Sequence, residues 1–108
     1  MLYISVEDFF QKVSGLRPMS REAEIECARR MLSGDPDARK QLMESYLPMV
    51  AGHVRRAPAQ QQSLSLVMHY VQALEKAVDS FNFLQNSEPF SHRLSWALRQ
   101  AFTRHIVR

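Results

Sequence analysis

Apolar residues along the chain recur at steps of three and four rather than at every second position. The pattern therefore predicts helices, with no convincing strand. Ser5-Val6-Glu7-Asp8 offers an N-cap and first-turn acids for a short helix that reaches about Val13 and stops near Gly15. Leu16–Met19 is a connector. Ser20 caps a second helix, in which Glu22 and Glu24 suit the positive end of the helix dipole. Ile25, Ala28, Met31 and Leu32 form its apolar face, and Ser33-Gly34 ends it. Asp35-Pro36 restarts the chain at once, an N-cap followed by proline at the first helical position. This third helix is predicted to about Arg56, with Leu42, Tyr46, Met49, Val50 and Val54 as its stripe. Pro48 removes a backbone donor inside it and should bend it. After the polar connector Ala57–Gln62, a fourth helix is predicted over Leu64–Phe83, where Val67, Tyr70, Val71, Leu74, Val78 and Phe81 share a face. Leu84–Pro89 reads as a loop, and Pro89-Phe90-Ser91 opens a last helix that continues to the C-terminus.

These elements predict an all-α fold, a compact bundle of four to five helices in a single domain over 1–108. The N-terminal helices occupy 5–56 and the second group 63–108. The length fits one modest core. The single cysteine, Cys27, excludes an internal disulfide and fits a reducing cytoplasm. Cys27 lies on an amphipathic helix and is expected to be buried. Glu7 and Asp8 come too early for a signal peptide, and no apolar run is long enough to cross a membrane, so a soluble cytoplasmic protein without membrane association is expected.

Charge changes the picture. Met1–Glu44 holds eight of the eleven acids and seven of the fourteen bases, whereas Ser45–Arg108 holds three acids and seven bases. The positive field of the C-terminal half points to a polyanion such as nucleic acid. Its focus is the last helix, where Ser91–Arg108 carries four arginines and no acid around the only tryptophan. Leu94, Leu98, Ala101 and Phe102 suit the core side. Arg93, Trp96, Gln100 and Thr103 fall on another face, flanked by Arg99 and Arg104. Arginine pairs with phosphate, an indole stacks on an unpaired base, and Gln and Thr reach base edges. A half-buried Trp96 among merely solubilising arginines fits the same helix. Catalysis finds no support: there is no Gly-rich phosphate loop and no nucleophile motif. His53, His69, His92 and His105 are dispersed without metal-ligand spacing, so neither a metal nor another cofactor is expected.

Three stretches, SREAEIECARRMLSGDPDARKQLMESYLPMV from Ser20, LEKAVDSFNF from Leu74 and FSHRLSWALRQAFTRHI from Phe90, together resemble one family. They are similar to region two, with its preceding helix, of the sigma-seventy-type sigma factors of bacterial RNA polymerase. The resemblance covers most of the chain from about Val6 onward. It implies a helical domain that grips the clamp helices of core RNA polymerase and opens promoter DNA at the minus-ten element, holding the non-template strand. Trp96 matches the first of two adjacent tryptophans, Gln100 and Thr103 match residues facing the upstream edge of that element, and Arg99 and Arg104 match basic positions. Arg93 stands where the family has a stacking tyrosine, Ala97 replaces the second tryptophan, and Tyr46 replaces an asparagine that cradles a second flipped base. On the clamp-binding helix, Ser65, Met68, His69 and Val71, with Gln72 beside them, occupy the polymerase-contact surface in place of an acidic and polar run.

The implied partners are core RNA polymerase and minus-ten promoter DNA. A second chain supplying the minus-thirty-five-reading domain, or an anti-sigma factor, fits a chain that stops at Arg108. A protein-interaction module that keeps the fold without opening DNA, and binds a polymerase subunit, a split-sigma partner or a regulator, is the alternative.

Overall fold

A computed structural model describes residues 2–85 and 88–107. Five α-helices follow one another among them: α1 (Val6–Val13), α2 (Arg21–Leu32), α3 (Pro36–Arg56), α4 (Leu64–Ser80) and α5 (Phe90–Val107). A single 3-10 turn, Ala59–Gln61, lies in the connector between α3 and α4. The predicted all-α bundle is thus the fold, with no strand among the described residues. None of the described helices is long and apolar enough to cross a membrane.

The helix starts follow local chemistry. Ser5, Ser20 and Ser63 each accept from the backbone N–H three residues on, at 2.9, 3.1 and 3.2 Å, so a donor with no partner inside the helix is satisfied. Asp35 caps α3 by accepting from the Asp37 N–H at 3.0 Å, with Pro36 at the first helical position. Between α2 and α3 the chain reverses at Gly34, whose φ of 95° is open to glycine at no steric cost. Its N–H donates to the Met31 carbonyl (2.9 Å), and the Asp35 N–H donates to that of Arg30 (3.1 Å). The third helix runs through Pro48 without a break.

Helices α3 and α4 form the centre: α2 packs on α3, α5 packs on α4, and α1 touches both central helices. Fully buried side chains from every helix meet there, including Phe9, Cys27, Leu42, Val54, Leu66 and Leu98. Two expectations need correction. Leu32 was placed on the apolar face of α2 but is 67% exposed, and Cys27 takes its place against α3. The Cys27 thiol donates to the Ala38 carbonyl at 3.0 Å, and burial pushes its pKa up. The fourth helix also stops at Ser80, not Phe83, because Phe81 adopts an extended conformation. Leaving the helix lets Phe81 and Phe83 close on Phe90, with ring centroids 5.1 and 4.9 Å away, and Tyr46 joins the cluster at 4.7 Å from Phe90. The Asn82 side chain turns the chain there by accepting from the Leu84 and Gln85 N–H groups. The remainder of the predicted loop falls partly on residues 86–87, outside the described residues.

An Arg39–Asp79 pair ties the start of α3 to the end of α4. Arg39 Nε donates to Oδ1 at 2.8 Å and Nη2 to Oδ2 at 2.9 Å. These bonds hold the Asp79 carboxyl below the usual carboxylate range. The side chains are 36% and 55% exposed, so screening limits the pair to about 1 kcal/mol or less. The folded-state pKa is the lower one. The stabilisation is therefore present above the unfolded carboxylate value and disappears as pH falls through the folded value. Asp79→Asn should cost up to about 1 kcal/mol at pH 7 in urea unfolding. The difference from the parent should shrink below about pH 4; a difference that grows in acid would contradict this.

Candidate nucleic-acid interface

The last helix is held on α4 by Leu94, Leu98 and Ala101, all buried, with Phe102 half-buried beside them. That anchoring turns the predicted ridge outward. Arg93, Trp96, Gln100 and Thr103 are exposed, Trp96 by 53%. Trp96 is thus not part of the core. The Arg93 guanidinium lies over its indole, 5.7 Å from the ring centroid, a contact worth about 0.5–1 kcal/mol at an exposed site. The ring is thereby oriented before any partner arrives.

The six residues expected to meet DNA do not form one patch. Arg93, Trp96, Gln100 and Arg104 line a groove of about 150 Å³ between α5 and α4, into which Lys76 reaches from α4. Among the described residues no acid lines it; Asp79, the nearest acid along α4 on the C-terminal side of Lys76, is held by Arg39. Arg99 turns to the other flank of α5, beside His53, Arg56, Tyr70 and Phe102, in a second groove of about 330 Å³. Thr103 borders that groove, and its hydroxyl donates to the Arg99 carbonyl at 3.1 Å. With its proton engaged within the helix, the Thr103 oxygen is left as an acceptor. Sequence reasoning missed Lys76 and Arg56. Helical spacing puts Lys76 on the exposed side of α4, but only the α4–α5 packing brings it beside Trp96.

Tyr46 is committed elsewhere. Its hydroxyl donates to Glu24 Oε1 at 2.8 Å while its ring packs against Phe90. Burial, and then the adjoining Glu24 carboxylate, push the phenol pKa well up. A neutral Tyr46 fills the place expected to cradle a second base.

On α4, Ser65 and Gln72 are exposed and Met68 is half-buried at the surface, so these three remain open to a partner. Val71 was expected with them, but it is only 4% exposed and belongs to the core. It lies on the buried arc of α4 with Leu74 and Val78, where a partner gains little from it. His69 turns instead toward α5, its Nδ1 lying 2.8 Å from that of His105. Two histidines that are far apart in the sequence are thus neighbours in the fold. Among the described residues no group of three or more His, Cys, Asp or Glu side chains could hold a metal ion.

No protein-family model matches the chain. Two curated relatives are each described as RNA polymerase sigma factor SigA. The one from Clostridium acetobutylicum is 32% identical over 109 residues, covering 96% of this chain and 29% of the relative. The one from a Bacillus species is 29% identical over 103 residues, covering 94% of this chain and 27% of the relative. The chain therefore spans less than a third of the length of the relatives it matches. With its five helices in one bundle and kinship along nearly all of its own length, the chain is a sigma-seventy-type region, related to part of the sigma factors of bacterial RNA polymerase.

Proposed function

We propose that this region acts in transcription initiation, in the bacterial cytoplasm, by binding core RNA polymerase and holding minus-ten promoter DNA along α5. The observation that carries the proposal is the exposed Trp96, set with Arg93, Gln100, Arg104 and Lys76 in one groove that no acid lines among the described residues. A separated strand finds there what it loses on leaving the duplex. The indole replaces a stacked neighbour, and the cations replace the counterions around the phosphates. Gln100 offers both donors and an acceptor to a base edge. Arg99, with Arg56, adds a cationic flank on the opposite side of α5 that suits the adjoining duplex. Ser65, Met68 and Gln72 form the surface offered to the polymerase clamp.

Core polymerase pull-down and fluorescence anisotropy on a single-stranded minus-ten oligonucleotide test the two halves; binding to neither would remove the proposal. Affinity for the oligonucleotide should fall steeply with salt. With Arg93, Arg104 and Lys76 each on a phosphate, the log–log slope should be about −2, taking roughly 0.7 per contact for a single strand.

A flat salt dependence would favour the second reading, a helical interaction module that binds a polymerase subunit, a split-sigma partner or a regulator without opening DNA. On its side are Tyr46, whose hydroxyl is committed to Glu24 where the resemblance implies a base-cradling asparagine, and Arg93 standing over the indole.

A further inference from the structure

The second groove lies on the flank of α5 away from Trp96, and its floor is apolar. Tyr70 comes to it from α4, Phe102 from α5, and Ala57 and Pro58 from the connector after α3. That connector is fixed in place, because the Gln62 side chain donates to the Arg55 and Ala57 carbonyls at 3.2 and 2.9 Å. Arg56 and Arg99, both exposed, stand at the rim. Among the described residues no acid lines the groove, and neither guanidinium has a carboxylate within 4.0 Å. At about 330 Å³ the space is at the small end of ligand-sized sites.

Three hydrogen-bond donors border this floor unspent. Tyr70 is only 3% exposed, yet its hydroxyl has no hydrogen-bond partner among the described residues. No sealed side-chain oxygen or nitrogen among those residues lacks a partner, so the hydroxyl opens on the groove that Tyr70 lines. Burial pushes its pKa up, and the phenol keeps a proton to donate. Arg56 Nη2 lies 3.0 Å from His53 Nδ1, which also lies 3.1 Å from the Met49 carbonyl. That nitrogen accepts from the guanidinium only without a proton and donates to the carbonyl only with one. Arg56 can therefore leave for an anion while His53 keeps a partner in Met49. Burial, with the charges of Arg56 and Arg99, pushes the His53 pKa down. The positive charge of the groove at neutral pH is thus that of the two arginines.

We propose that this groove docks an acidic segment of a partner protein. A carboxylate side chain is held there by Arg56, Arg99 and the Tyr70 hydroxyl, and a neighbouring large apolar side chain lies on Phe102 and Pro58. A guanidinium fork matches a carboxylate with two parallel bonds, and the phenol adds a further donor. The floor decides between a protein and a duplex. A duplex backbone offers phosphates to the rim and has no apolar group to cover the floor, whereas a peptide supplies both from adjacent residues. An apolar anchor in a pocket, ringed by polar contacts, is the form in which protein interfaces concentrate their binding energy. This docking goes beyond promoter binding and does not depend on Trp96.

The full chain, titrated with an end-blocked synthetic peptide that carries a leucine between glutamates in a Gly-Ser frame, tests this. NMR reads the Arg56 and Arg99 Nε–H signals and the Phe102 ring. These should shift, and the shifts should be lost when glutamine replaces the glutamates or serine replaces the leucine. Tyr70→Phe keeps the buried ring and removes only the hydroxyl. It and Arg56→Gln should each weaken the peptide about tenfold, the size of one hydrogen bond to a charged group. Trp96→Ala should weaken the single-stranded oligonucleotide and leave the peptide unchanged, which keeps failure here separate from failure of the stacking role. A duplex that moves the arginine signals where the peptide does not would assign the groove to nucleic acid and overturn the proposal. Signals that move with protein concentration alone would also overturn it, by making a second copy the occupant, as would peptide affinity indifferent to both substitutions.

Discussion

Replacing Trp96 with alanine is expected to weaken binding of a single-stranded minus-ten oligonucleotide roughly five- to hundredfold, while duplex binding changes far less. Stacking one base on an aromatic ring is worth about 1–3 kcal/mol, and every 1.4 kcal/mol is a factor of ten. Two features set where in that range the result falls. The indole is 53% exposed and needs no rearrangement of the core to meet a base. Arg93, however, already covers it, and a base that displaces the guanidinium forfeits a contact of about 0.5–1 kcal/mol. Displacement puts the loss near the lower end; a base taking the opposite face of the ring puts it near the upper end. Arg93→Ala separates these outcomes, since displacement predicts a weaker salt dependence with stacking retained. Equal losses on single strand and duplex after Trp96→Ala would sink the stacking role.

The largest effect on stability is expected from Phe90→Ala. Phe90 is 3% exposed and touches the rings of Tyr46, Phe81 and Phe83, so its removal leaves a cavity bounded by three aromatic side chains. Truncating such a residue costs about 3–5 kcal/mol, a large share of the 5–15 kcal/mol typical of a whole domain. Urea unfolding should show the midpoint falling at unchanged slope. Phe90 also fixes the first turn of α5, about one turn from Arg93 and under two turns from Trp96. The variant should therefore lose affinity for the single strand at denaturant concentrations where it is still folded. A cost below about 1 kcal/mol would mean that the three remaining rings collapse onto one another, leaving Leu94 and Leu98 to hold the helix.

Most of the helix boundaries were legible because they are local. Ser5, Ser20, Asp35 and Ser63 cap with their own side chains, and Gly34 stops α2 by a backbone angle that few other residues adopt. The end of α4 was not legible, because Phe81 and Phe83 leave the helix for contacts with Phe90, a partner on another element. Periodicity likewise overreaches at Leu32, since it ranks apolarity and does not know where α3 crosses α2, whereas Cys27 is buried as its place on an amphipathic helix predicts. The candidate site divides in the same way. Spacing put Arg93, Trp96 and Gln100 on one ridge, a property of a single helix. Lys76 beside Trp96, Arg99 on the far flank and the meeting of His69 with His105 all depend on how α4 and α5 lie together, and no periodicity within one helix encodes that. Val71 is the opposite case: its spacing with Val67, Leu74 and Val78 already put it on the buried face, and only the resemblance put it on the polymerase-contact surface.

Cys27 is the chain's single thiol, with no exposed surface, and its proton is engaged by the Ala38 carbonyl across the α2–α3 contact. An alkylating reagent needs a thiolate it can reach, and burial withholds both access and charge. Labelling must then wait for α2 to lift from α3. When closing is faster than alkylation, the labelling rate reports the equilibrium between closed and opened forms, as amide exchange does for backbone protons. The chain thus carries a native counter of opening events at its N-terminal end, readable by mass without any engineered probe. The lone indole serves as an optical reporter near the other end, so loosening of the two halves can be timed independently in one unmodified molecule.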